Sequence, residues 1–324
     1  MPERTRPTPL DSAPRLAAAL GLSALWVKRE DLAGPGFGGN KIRQIRLILE
    51  AAKAEGADTV ITTAASQSNF CRALAGCAAR KELSCHLLLR RAGGTTMQGN
   101  LLLDHVFGAR ISWTDVTDPW DPVIEAELEA IAEAVRAAGG TPYIVRLPGR
   151  TAPLAASAWA TGAAELAADL AATGARPDAV AVACGSALTA CGLALGLKRA
   201  GLASRVLGVS VQQPLARLRP WCDDVITRTA ALLGWPAGDA SERLLLTEDQ
   251  IAPGYGRASD ASREAVLLAG RTEGLVLDPV YTGKALAGLA ASIGGLVPRG
   301  GAAVLIHSGG APGLFLHAAE MELR

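Results

Sequence analysis

The sequence predicts an α/β fold built on parallel sheets, and three observations predict it. Short apolar or β-branched runs alternate with helical patterns of ten or more residues, the pattern of right-handed βαβ units. Of the 324 residues 49% are hydrophobic, enough for a sizeable core. Gly supplies 36 residues while aromatics make up only 4%. That balance suits helices packed closely on a sheet and joined by Gly-bearing turns, and not a fibrous repeat.

In chain order, strands are expected at Leu25–Lys28, Thr59–Thr63, Ser84–Leu89, Pro142–Arg146, Ala179–Ala183, Val206–Ser210 and Ala302–Ile306. Residues 41–55 place Ile42, Ile45, Ile48, Leu49 and Ala52 on one helical face. Residues 70–80, 123–138, 153–172 and 190–200 read as further helices. The Gly- and Pro-bearing stretches 90–96 and 147–153 are expected hinges, and the polar stretch 235–262 is long enough to be a functional loop.

Lys plus Arg total 32 against 31 Asp plus Glu, a formal charge of +1. No field of one sign is available for nucleic acid or an anionic membrane surface. The polar, Pro-rich start lacks the apolar stretch of a signal peptide, and no apolar run reaches transmembrane length. Six Cys occur with no CxxC pair, and zinc-ligand spacing is absent, so no metal is expected. Reduced thiols in the cytoplasm are the expectation.

Open α/β sheets bind ligands beyond the carboxyl ends of their strands, so unusual residues after strands and at helix starts are the candidates. In Gly38-Gly39-Asn40-Lys41, the glycines relax the backbone, Asn40 is placed to cap, and Lys41 opens a helix. A cation there meets the wrong end of the helix dipole. The field favours the neutral amine that a Schiff-base nucleophile needs. Ser66-Gln67-Ser68-Asn69 follows a strand; Ser68 either caps the next helix or handles a proton beside a bound carboxylate. Gly185-Ser186-Ala187-Leu188-Thr189 is a small-residue turn opening a helix, able to present N–H groups to a phosphate, though many strand–helix turns share its form. Asp278–Lys284 contains Tyr281, and His307-Ser308-Gly309-Gly310 puts a hydroxyl and two glycines at a strand end.

Taken together and in order, these motifs resemble the fold-type II pyridoxal-phosphate (PLP) enzymes, specifically the family of D-cysteine desulfhydrase and 1-aminocyclopropane-1-carboxylate deaminase. The resemblance runs from Pro9-Leu10 to Phe315 and includes Lys28-Arg29-Glu30-Asp31, Arg72 and Pro253-Gly254-Tyr255-Gly256. It implies the tryptophan synthase β-like fold of two open parallel-sheet domains, a larger one from 1–50 and 159–324 and a smaller one from 51–158. It implies pyridoxal 5′-phosphate on Lys41, its phosphate held by Gly185, Ser186, Ala187, Leu188 and Thr189, its 3′ oxygen by Asn69, and its pyridine nitrogen facing Ser308. Gln67, Ser68, Asn69, Tyr255 and Tyr281 would meet the substrate, with Lys41, Ser68, Tyr255 and Tyr281 in catalysis. A homodimer is the family expectation.

The activity implied is β-elimination from a small amino acid, giving a keto acid and ammonia. Cyclopropane ring opening is the alternative, and Thr282 stands where that deaminase has Glu. A third alternative is another, more acidic amino acid, with Arg150 and Arg257 as candidates for a second acid group. A non-enzymatic two-domain binding protein is the fourth. The chain departs from the family at Ala187-Leu188, where two Gly are usual, at Phe70-Cys71, and at Leu147-Pro148-Gly149-Arg150, where a Gly-Gly-Ser-type turn is common.

Overall fold

A computed structural model describes residues 7–91, 94–118, 121–147 and 149–321. Its strands are β1 (Leu10–Ser12), β2 (Ala24–Lys28), β3 (Thr59–Ala65), β4 (Ser84–Arg90), β5 (Arg110–Thr114), β6 (Pro142–Ile144), β7 (Ala179–Cys184), β8 (Arg205–Ser210), β9 (Leu244–Thr247) and β10 (Ala302–Ile306). Its helices are α1 (Pro14–Leu20), α2 (Lys41–Ala54), α3 (Asn69–Arg80), α4 (Gly99–Val106), α5 (Pro122–Ala137), α6 (Thr151–Thr173), α7 (Leu188–Arg199), α8 (Leu215–Leu233), α9 (Ala240–Arg243), α10 (Asp260–Glu273), α11 (Thr282–Ser292) and α12 (Ala311–Leu316).

The strands form two sheets, ordered β1-β2-β10-β7-β8-β9 and β5-β4-β3-β6. All neighbours are parallel except β1 and β2. The seven strands expected from sequence are all present, within two residues at their ends. Three further strands, β1, β5 and β9, lie outside those expectations. β1 has three residues, β5 is an edge strand with a polar residue at every other position, and β9 is a Leu run continuing the α9 turn, with no β-branched residue before Thr247. The stretch 235–262 is therefore not one loop. It holds α9 and β9 before an irregular segment that carries Tyr255.

The layering follows from which faces are apolar. Ile42, Ile45, Ile48, Leu49 and Ala52 of α2 are all buried, as their spacing requires. They join α6 and α7 in a core that reaches Val60, Leu87 and Leu89 on the smaller sheet and Val180, Val182 and Val304 on the larger. The other face of the larger sheet is covered by α1, α10 and α11, and that of the smaller by α5. α6 and α7 touch backbone to backbone. A Cβ at Gly192 would lie 2.7 Å from Trp159 Cβ, and one at Gly196 would lie 2.5 Å from Ala163 Cβ.

Charges hold the start of the chain to this frame. Lys28 Nζ is 2.6 Å from both Glu165 and Asp169 on α6. Arg43 on α2 reaches Glu30 and Glu165, each at 2.8 Å, and stacks 5.3 Å from the Trp159 ring centroid. These hydrogen bonds from Arg43 and Lys28 hold the Glu165 carboxyl down to about 2 against the opposing effect of burial. Charges so far from water persist only because each is paired.

Candidate active site

The carboxyl ends of both sheets open onto one cavity of about 380 Å³, within the range of small-molecule sites. Of the residues singled out from sequence, Lys41, Ser68, Asn69, Gly185, Ser186, Tyr255, Tyr281 and Ser308 line it.

Gly39 and Gly309 bring the Lys41 and Ser308 turns together, a Cβ on Gly309 falling 2.8 Å from Gly39 Cα. Gly39 has φ +108°, and a Cβ on it would stand 3.0 Å from the Ser308 carbonyl oxygen. Only glycine allows this approach at that backbone angle. The Asn40 N–H then donates to Ser308 O at 3.1 Å. Asn40 does not cap α2, contrary to expectation. Its backbone is already helical and its Nδ2 donates instead to Thr189 Oγ1 at 2.8 Å. Gln44 Nε2 donates to the same oxygen at 3.1 Å. Burial lowers the Lys41 amine to about 8. The cause is thus removal of the ammonium from water rather than the helix field alone.

Ser68 caps α3, its Oγ accepting from the Phe70 and Cys71 N–H groups at 3.2 and 3.3 Å. Its own hydrogen stays available to a ligand. Asn69 Oδ1 accepts from Asn100 Nδ2 at 3.0 Å, which leaves the Asn69 amide nitrogen to donate. Gln67 is placed differently from expectation. Its Nε2 donates to Gln98 O at 3.2 Å and its Oε1 accepts from Asn100 N at 3.0 Å. It braces the approach to α4 and does not line the cavity.

The 185–189 turn tests the fit of a phosphate. Ala187 has φ +58°, left-handed, and α7 begins at Leu188. Among the described residues, the N–H groups of Ser186, Ala187, Leu188 and Thr189 have no acceptor. Four donors at a helix N-terminus, with the dipole behind them, suit an anion. Ala187 keeps the left-handed conformation without the usual glycine, at about 1–2 kcal/mol. Gly185 and Ser186 face the cavity, whereas Ala187, Leu188 and Thr189 are buried. Trp221 Nε1 donates to Ser186 O at 2.9 Å and steadies the turn.

The Tyr255 and Tyr281 hydroxyls are 2.6 Å apart. Burial, foremost, raises both phenols, so both stay protonated at neutral pH. Ser308 Oγ has no hydrogen-bond partner among the described residues. Thr282 is fully buried, and its Oγ1 donates to Asp278 Oδ1 and accepts from Asp278 N, both at 2.8 Å. It is committed to Asp278 and stays outside the cavity.

Arg150 and Arg257 do not line the cavity. Arg150 pairs with Glu55 at 3.0 Å and lies 4.9 Å from the Tyr143 ring centroid. Of the Leu147–Arg150 departure, Leu147 lines the cavity and Pro148 lies outside the described residues. Sequence reading missed Arg90, Thr63, Arg146, Gln212 and Trp221, all on the cavity wall. Arg90 ends β4 and Thr63 lies two residues before the end of β3, so position at the carboxyl end of a strand was the one signal that could have found them.

The family described as pyridoxal-phosphate dependent enzyme matches residues 2–309. The chain belongs to this family. D-cysteine desulfhydrases of Salmonella choleraesuis (strain SC-B67) and Salmonella newport (strain SL254) are each 39% identical over 321 residues, covering 96% of this chain and 94% of theirs. Among solved structures, an ACC deaminase homologue matches with a TM-score of 0.88 at 31% identity, covering 98% of this chain and 93% of that one. A T.th. threonine deaminase shares the fold, with a TM-score of 0.66 at 21% identity, over 94% of this chain and 93% of its own. The PLP enzyme fold thus accounts for the two parallel sheets, and the open N–H groups of the 185–189 turn fit the cofactor's phosphate.

Proposed function

We propose that this PLP-dependent lyase removes a β-substituent from a small amino acid in the manner of a D-cysteine desulfhydrase. With D-cysteine, water is consumed and pyruvate, ammonia and hydrogen sulfide are formed. One observation carries the reading: Lys41, Asn69, the Gly185-Ser186 turn, Ser308 and the hydroxyl pair Tyr255–Tyr281 face a single cavity. The 39% identity to D-cysteine desulfhydrases supports the substrate class.

In this proposal Lys41 would hold the cofactor, the turn from Gly185 to Thr189 would bind its phosphate, Asn69 would donate to its 3′ oxygen, and Ser308 would meet its ring nitrogen as a neutral partner. When bound, the cofactor supplies an electron sink for the bond broken at Cα. The chain's own groups do the rest. An amine held near 8 is free in part at neutral pH and can take the Cα proton. The Ser68 hydroxyl and the start of α3 receive the substrate carboxylate. The tyrosine pair, protonated and mutually hydrogen-bonded, donates to the leaving group. Thr282 supports elimination over cyclopropane ring opening, since it is tied to Asp278 and offers nothing to the cavity.

The proposal includes two domains. A division at 50/51 and 158/159 would cut α2 and α6, so we place the joins at 55–58 and 147–150; β3 to β6 then fall in the smaller part and every other strand in the larger. It also includes a homodimer working in the cytoplasm. Exposed Leu102 and Val106 on α4 and Phe315 on α12, two helices in contact, offer an apolar surface for pairing. No helix among the described residues is long and apolar enough to cross a membrane.

The test is a panel of both enantiomers of small amino acids, assayed for keto acid, ammonia and sulfide. D-cysteine is expected to give all three, and Lys41→Ala none. A cofactor-loaded protein that releases keto acid from no member of the panel would refute the reading.

A further inference from the structure

Arg90 is the last residue of β4, and its side chain forms part of the cavity wall. It differs from the other arginine there. Arg146 is bound by Glu125 and Glu129 of α5. Arg90 has no hydrogen bond or ion pair among the described residues. Asp118, Tyr255, Tyr281 and the Cys71 thiol lie within electrostatic reach of it, and none is within ion-pair distance. Ala65 of β3 stands beside Arg90 in register. Two residues earlier on β3, on the same face of the pleat, Thr63 also lines the cavity with a buried Oγ1 that has no partner among the described residues. A half-buried guanidinium with five donors and a neighbouring hydroxyl therefore face the cavity with their hydrogen bonds unspent. A cation partly removed from water is unfavourable until an anion joins it, and a guanidinium is shaped to take a carboxylate or phosphate by two parallel bonds.

We propose that Arg90, with Thr63 beside it, receives an anionic group carried on the β-carbon of the substrate, so that the enzyme favours amino acids with an acidic β-substituent. This rests on the β-elimination reading and names the substrate class within it. The α-carboxylate has its own place at the start of α3, beside Ser68. Arg90 sits within electrostatic reach of the tyrosine pair, where the leaving group departs. With O-phosphoserine as such a substrate, the Cα proton goes to a base and the Cβ–O bond breaks, phosphate leaving with the electron pair. Water then releases the nitrogen, giving pyruvate, ammonia and phosphate with no net oxidation or reduction.

The experiment compares O-phosphoserine with 3-chloroalanine, both enantiomers of each, on the cofactor-loaded enzyme. Arg90→Gln is expected to lower the ratio of kcat/KM for O-phosphoserine over 3-chloroalanine by roughly 10- to 100-fold, the range of a lost charged hydrogen bond. Most of the loss should fall on KM, with partial recovery in Arg90→Lys. An equal fall for both substrates would place Arg90 on the α-carboxylate and overturn the proposal, as would an unchanged ratio. Calorimetry with succinate and propionate gives a readout independent of turnover. The wild type is expected to bind succinate about 10-fold more tightly, and Arg90→Gln to lose that preference. If the wild type shows no preference for succinate, the proposal fails even if Arg90→Gln does not fold. Should no amino acid yield keto acid, the elimination reading fails alone, and the succinate-to-propionate ratio still decides the role of Arg90.

Discussion

The hydroxyl of Tyr255 lies 2.6 Å from that of Tyr281, with the two rings edge to face at 6.2 Å between centroids. One phenol must donate to the other, so only one O–H of the pair points into the cavity at a time. Removing either hydroxyl frees the other to turn, and the two should act as a unit. Tyr255→Phe and Tyr281→Phe are each expected to reduce kcat by about 10- to 100-fold. The double variant should be little worse than the weaker single one, a non-additivity read from a double-mutant cycle. Because burial raises both phenols, no limb of the pH–rate profile below about pH 10 should vanish in either variant.

Lys41 makes a prediction that needs no turnover. Burial lowers its amine to about 8. A Schiff base forms from the neutral amine, so uptake of PLP by cofactor-free protein should accelerate as pH rises from 6 to 9, about 10-fold per unit at first, and level off above about 8. The rate of appearance of the absorption band follows it. Lys41→Arg, always protonated, should give no band at any pH.

The turn proposed for the phosphate predicts a stabilising change. Ala187 holds φ +58° with a Cβ. Ala187→Gly relieves about 1–2 kcal/mol of left-handed strain and returns about 0.5–1 kcal/mol of unfolded-chain entropy. A net gain of up to about 1 kcal/mol is expected in urea unfolding, with PLP affinity unchanged, since the four N–H groups keep their places.

Asp104 on α4 predicts a pH dependence of stability. Neither carboxyl oxygen has a partner among the described residues, and Asn100 Oδ1, one turn earlier, has none either. Burial raises this carboxyl to about 8, against a smaller opposing effect of Arg72. The unfolded chain ionises near 3.9, so the folded state binds the extra proton between about pH 4 and 8. Stability from this group is full below about pH 4 and is lost as pH rises through 8, at up to about 1.4 kcal/mol per unit. Asp104→Asn should flatten the unfolding free energy between pH 5 and 8 and exceed the wild type at pH 8.5.

Much of this architecture was legible in the chain because its signals are local. A buried parallel strand such as Ala179–Cys184 is an unbroken apolar run, and the α2 face is a 3.6-residue pattern. Lys41 and Ser308 stood out because glycines precede one and follow the other. What escaped depends on partners far away in sequence. Asn40 has the composition of a cap, but Thr189, 149 residues on, offers its side chain a better bond than the helix does. Gln67 belongs to a motif that resembles a substrate loop, yet Asn100 and Gln98 occupy both ends of its amide. Arg90 opens the stretch 90–96, which reads as a hinge after an apolar strand, and only the cavity wall reveals it. The tyrosine contact joins residues 26 apart, with the whole of α10 between them, and no periodicity brings such a pair together.

The close seating of α7 on α6 carries a consequence for how the cofactor is measured. Gly192 and Gly196 leave no clearance between these helices, so the turn proposed for the phosphate cannot slide along α6. Trp159, on the same helix, donates from Nε1 to Asn40 O at 3.2 Å, one residue before Lys41. The two ends of the berth proposed for the cofactor are thus both referenced to one rigid rod, which works as a gauge. On the proposed placement, its setting decides whether a molecule of PLP's length fits between Lys41 and the 185–189 turn, and nothing in the cavity itself needs to change for that setting to be lost.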